Sequence, residues 1–194
     1  MRSRALVFLC AAALYGQTQP GSGVAAPSPA PAGLETAWEI APVLQEISAH
    51  AGRLLPELDR VDARSWVEKG ASETYLEQLQ TAKEQAKALS DGAKALAQNP
   101  EKLSSGLVVL LRIQALDAIL GSLEEGLRHY QGAAESQKLA ELAAENGANR
   151  DRFQRYIVNL AADEEQRFQV MDKEAQRCRS MVTAPAASRA GKKK

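Results

Sequence analysis

Apolar residues recur along this chain at intervals of three and four, the repeat of a helix with one buried face. The first stripe is Leu44, Ile47, Ala51, Leu54, Leu58 and Val61. A second runs through Tyr75, Leu79, Ala82, Ala86, Leu89, Ala93 and Leu96, and its alanines let a neighbour approach closely. A third, Val109, Ile113, Leu116, Leu120, Leu123, Leu127 and Tyr130, is widened by Leu107, Val108, Leu110, Leu111 and Ile119. That width predicts a helix buried over most of its circumference. The fourth is the longest: Leu139, Leu142, Asn146, Asn149, Phe153, Ile157, Leu160, Glu164, Phe168, Met171, Ala175 and Cys178. No alternation of period two competes with these stripes, so no strand is predicted.

Breaks in the pattern set the boundaries. Pro42 suits a first helical turn, where a missing N–H costs nothing. Pro56 predicts a kink near Gly52–Arg53, because proline removes a backbone hydrogen bond and crowds the preceding turn. Ser65-Trp66-Val67-Glu68 has capping-box spacing and predicts a short helical turn before Gly70. Asn99-Pro100 ends the second stripe. The connections at 99–102 and 131–135 are short, so neighbouring helices run antiparallel. The fold class expected is all-α, an up-down antiparallel bundle of about four helices with a long C-terminal helix. That last helix would run from Ser136 to Met181, about 65–70 Å if continuous. Gly147, within "ENGANRD" (145–151), is its weak point. The overhang is expected to pack on the start of the first helix, near Trp38 and Ile40.

The flanks read differently. Arg2 and Arg4 precede an apolar run, "ALVFLCAAALY", of a length that suits a secretory signal peptide rather than a membrane span. Residues 1–16 are taken as that signal, 17–33 as a Pro/Ala-rich disordered linker, 34–182 as the helical bundle and 183–194 as a disordered basic tail. The whole chain carries 24 basic and 24 acidic side chains. Removing Arg2 and Arg4 leaves 22 against 24, a net charge of −2. A near-neutral chain has no global field to attract nucleic acid. Arg112, Gln114 and Asp117 argue against a span in the third helix, so no transmembrane helix is expected after cleavage.

Candidate chemistry is sparse. His50 and His129 each follow a glutamate by four residues, Glu46 and Glu125, which reads as a surface pair rather than a metal site. A carboxylate-bridged metal in a bundle needs Glu-x-x-His, and that spacing is absent. No haem motif, phosphate loop or nucleophile elbow occurs, so no cofactor, metal ligand or catalytic residue is assigned. Asn146, Asn149 and Glu164 interrupt the fourth stripe. They are expected to face solvent, the other reading being a polar layer that fixes register. Lys192, Lys193 and Lys194 read as a solubilising tail.

Cys178 is the one cysteine left after cleavage, so it has no internal partner. Arg177 and Arg179 flank it, but adjacent helical residues point about 100° apart. Its place in the stripe predicts a largely buried, reduced thiol. A partner disulfide is the second reading and a reactive thiol the third. Phe168, Met171, Ala175 and Cys178 together form a candidate interaction or thiol site. In export, size and helical content the chain is similar to small periplasmic helical chaperones. Their Leu-Thr-x-x-Gln signature is missing here, the nearest stretch being "LQTAKEQ" (79–85). The function expected is a non-enzymatic exported bundle, periplasmic or secreted, acting on an unknown protein partner or by self-association. The alternatives are a ligand- or metal-binding periplasmic bundle and a holdase-type chaperone.

Overall fold

A computed structural model describes residues 35–183. The segments read as a signal peptide (1–16) and a linker (17–33), and residues 184–194 of the expected tail, lie outside the described residues. Six helices follow in order: α1 (Ala37–Leu58), α2 (Ala63–Glu68), α3 (Thr74–Leu96), α4 (Leu103–Tyr130), α5 (Ala133–Ala144) and α6 (Gly147–Thr183). Four antiparallel rods form an all-α bundle: α1, α3, α4 and a composite fourth rod made of α5 and the first half of α6.

The first helix begins earlier than Pro42 suggests. Thr36 caps it: the Thr36 N–H donates to Glu39 Oε2 at 2.9 Å and the Thr36 hydroxyl donates to the same oxygen at 2.7 Å. Donation by the Thr36 amide, then by its hydroxyl, holds the Glu39 carboxyl below its ordinary pKa. Pro42 therefore sits in the second turn. Pro56 lies inside a helix that continues to Leu58, so it does not interrupt α1. The short α2 forms where capping-box spacing predicted a turn, but its cap is Asp62. The Asp62 carboxylate accepts from Ser65 N at 3.1 Å. Gly70 then turns the chain at φ +97°, a conformation that favours glycine.

All four stripes point inward, with one large exception. Leu44, Ile47, Ala51, Leu54 and Leu58 of α1 are buried against Ala82, Ala86, Leu89, Ala93 and Leu96 of α3. The small residues of α3 permit the close α1–α3 contact, which Ser48 and Ser90 bridge reciprocally. Ser48 Oγ donates to Ser90 O at 2.8 Å and Ser90 Oγ to Ser48 O at 3.0 Å. Val109, Ile113, Leu116, Leu120, Leu123 and Leu127 of α4 complete the core. The residues expected to widen that stripe into the core do not all do so. Leu107, Val108 and Leu111 are exposed, because α3, α5 and α6 cover only part of α4. Of the described helices, α4 alone is long and apolar enough to cross a membrane, and here its stripe packs into the bundle.

At one end of the bundle Trp66 is fully buried. Its ring stacks on Tyr130 at 6.0 Å between centroids and meets Tyr75 edge-on at 5.4 Å. Gly126 makes room for it: a methyl group there would sit 2.6 Å from Trp66 Cζ3. The opposite end closes where Ile157 of α6 fills the space left by Gly106 on α4. There Arg152 of α6 also pairs with Glu35, at 2.8 Å, just ahead of α1. Beyond that end no other described residue packs on α6, whose positions 164–182 are exposed. It does not fold back over Trp38, which is 74% exposed, whereas Ile40 is buried.

Candidate interaction surface and buried polar cluster

The fourth stripe is divided by burial. Phe153, Tyr156, Ile157 and Leu160 are buried in the core. From residue 164 to residue 182 every side chain is exposed. Those 19 positions span about 28 Å at 1.5 Å per residue. Phe168 is 71% exposed and Met171 70% exposed. Ala175 and Cys178 are exposed on the same face.

The expectation of a buried Cys178 is thus corrected. Its helical phase is as read, alongside Met171 and Ala175, but the stripe outruns the bundle. A helix face is buried only where another element lies opposite it, and α1, α3 and α4 all end near the level of Leu160. At 100° per residue, the core-facing direction of Phe153, Tyr156, Ile157 and Leu160 and that of Met171, Ala175, Cys178 and Val182 agree within about 30°. The projecting half of α6 therefore presents a continuation of the core face to solvent. Val170, Met181 and Val182 add exposed apolar area that the stripe alone did not include. Salt bridges within the helix, Arg167 to Asp163 at 2.9 Å and Arg177 to Glu174 at 2.8 Å, lie beside the face. Glu164 faces solvent as expected and pairs with Arg167.

A second feature lies in the bundle, at the break between α5 and α6. His50 is not part of a surface Glu–His pair. It is 4% exposed, in the stripe between Ile47 and Leu54, and its Nε2 lies 2.7 Å from Leu142 O. A carbonyl only accepts, so Nε2 carries the proton. Arg150 donates to Ala143 O at 3.1 Å and pairs with Asp117. Two side chains thus add donors to carbonyls at the end of α5, where Leu142 O also accepts from the Glu145 N–H at 3.3 Å. Asn146, expected to face solvent, is instead buried, and its Oδ1 accepts from Asn149 Nδ2 at 2.7 Å. The space among His50, Asp117, Asn146 and Arg150 is about 10 Å³, room for one water at most. This cluster holds the break in the fourth rod and leaves no volume for a substrate.

His129 is exposed at the far end of α4, so the two histidines do not converge. Among the described residues no three acidic, histidine or cysteine side chains are grouped to hold a metal.

Burial raises the Asp117 carboxyl above its ordinary pKa, more than the adjacent Arg150 and then His50 lower it. A folded pKa above the unfolded one favours the folded state at low pH, and this contribution is lost as pH rises through the folded value. Asp117→Asn mimics the protonated carboxyl. The variant should therefore unfold at a slightly higher temperature than the natural protein at pH 7, with the difference closing by about pH 3. Thermal melts across that range check this; an unfolding temperature lowered at pH 7 would show that the Arg150 pair outweighs desolvation.

No known protein family, characterised protein or solved structure matches this chain.

Proposed function

We propose that this protein is an exported helical bundle whose work is protein contact, made through the projecting half of α6, and not catalysis. One observation carries the reading: Phe168, Met171, Ala175 and Cys178 share an apolar face that no other described residue covers. Contiguous exposed apolar area of this kind marks interaction sites. A single polar helix about 20 residues long is also only marginally stable alone in water. A partner packed on this face would bury the stripe and support the helix together. The bundle serves as the rigid base from which the helix projects. The N-terminal run "ALVFLCAAALY" supports export to a periplasmic or extracellular space.

A photo-activated cross-linking residue placed at Phe168 in the full chain, and irradiated in living cells, should give covalent protein adducts. The same residue at exposed Lys87 on α3 serves as the control. No more adducts from position 168 than from 87 would sink the contact reading. Export is checked separately by sequencing the N-terminus of the mature protein, which should begin at Gln17.

A further inference from the structure

We infer that the occupant of the α6 face is a second copy of this chain, docked antiparallel, with Met171, Ala175, Cys178 and Val182 of each copy interdigitating. This rests on the reading of that face as a docking surface and names its partner.

The direction follows from the position of the bundle. The exposed face points the same way as the core-facing side of α6, so any helix packed on it stands in line with this chain's own bundle. A parallel second copy would have to place its residues 147–160 where α1 and α4 already lie. That space is taken: Ile157 fills it beside Gly106, and Arg152 pairs with Glu35. An antiparallel copy puts its bundle at the far end of the projecting helix, clear of this one. The arrangement is two-fold symmetric and closes as a dimer, the commonest form of self-association.

Charge then selects the register. Interdigitation of residues spaced three and four apart allows slides of seven residues. With Met171 opposite the partner's Ala175, Arg179 lies beside the partner's Glu165, but two like pairs meet at the axis, Asp172 against its own copy and Glu174 against its own copy. A slide toward more overlap drives Val182 of one chain to the level of Ile157 in the other, inside the bundle. The slide the other way sets Ala175 opposite the partner's Cys178 and Met171 opposite the partner's Val182. Asp172 then lies beside the partner's Arg179, twice by symmetry, and Glu174 lies beside Met181. No like charges face each other there. Four small side chains, two Ala175 and two Cys178, meet at the axis and let the helices approach to about 8 Å, the close end of helix packing. Larger Met171 and Val182 close the contact on either side. The overlap covers only about four turns, smaller than a standard protein interface, so association is weak and best detected by trapping.

The trap is the variant Ala175→Cys in the full-length protein, incubated with glutathione disulfide. The Cys178 thiolate attacks glutathione disulfide and releases one glutathione. The thiolate introduced at position 175 of the other chain then attacks the Cys178 sulfur and releases the second. Two protein thiols are oxidised and one glutathione disulfide is reduced to two thiols. Position 175 is exposed outside the core, so the substitution leaves the bundle intact.

The expected product is a dimer joined between position 175 of one chain and Cys178 of the other, identified by mass spectrometry of its peptides. Asp172→Arg should slow trapping about tenfold, since two attractive pairs become repulsive. Combining Asp172→Arg with Arg179→Asp should restore it. Links joining like positions, 175 to 175 or Cys178 to Cys178, would overturn the antiparallel register. So would failure of the charge swap to restore trapping. No dimer at all would overturn self-association. Adducts to a different protein from position 168 would then leave the docking surface standing with another occupant.

Discussion

Trp66→Ala should destabilise the bundle by about 3–5 kcal/mol, a large part of the stability of a domain this size. Three effects combine. The fully buried indole leaves a cavity lined by Tyr75, Tyr130 and Gly126, which rigid rings on two helices fill poorly. Its Nε1 no longer donates to Gln131 Oε1, now 3.1 Å away. The short α2 also loses the one large side chain that docks it, and six residues do not hold a helix without tertiary support. Trp66→Phe keeps most of the packing and should cost about 1–2 kcal/mol. Gly126→Ala should cost about 1–3 kcal/mol by the opposite defect, since the indole face cannot yield to an added methyl. Denaturant unfolding measures all three. A cost below about 1 kcal/mol for Trp66→Ala would mean that this end of the bundle contributes little.

The helices and their inward faces were legible because burial repeats with the helical period. Ile47, Leu54, Leu89, Ile113 and Leu123 occupy core positions in the stripes that name them. The position of the break was also legible, from Gly147 and the run of polar residues around it. What a stripe cannot state is whether anything lies opposite it. The expectation of a buried Cys178 rested on phase alone. Length held the missing information. The antiparallel α4 has 28 residues, about 42 Å. A fourth rod that begins at Ala133 and covers the same distance ends near residue 161, and beyond it no described helix lies opposite. The same limit explains Leu107, Val108 and Leu111, whose apolar character does not create a fifth rod to cover them. A surface pair for His50 follows from residue type, whereas its position places it in the core. It stands three residues after Ile47 and four before Leu54, squarely on the buried stripe. Its partner, a backbone carbonyl 92 positions away, leaves no mark in local sequence.

That carbonyl makes His50 the second sensitive position. His50→Ala should cost about 2–4 kcal/mol, from the lost packing of a buried ring and an under-satisfied carbonyl at Leu142. The variants separate these terms. His50→Leu restores apolar volume but cannot donate, so it should recover only part of the loss. His50→Gln keeps a donor on a more flexible chain and should recover more than leucine does. A leucine variant as stable as the natural protein would show that the 2.7 Å contact contributes nothing. The damage should also be local. Arg53 pairs with Glu145 at 3.4 Å and Arg150 bonds Ala143 O, so the break keeps two of its supports when His50 is lost. Amide exchange should therefore accelerate first around residues 142–150, before the α1–α3 contact opens. Those residues join α5 to the helix that projects from the bundle. A buried histidine on α1 thereby helps set the direction in which Met171, Ala175 and Cys178 are presented, about 40–50 Å further along the chain. Loosening this joint should lower trapping of the dimer even though no residue of the exposed face has changed.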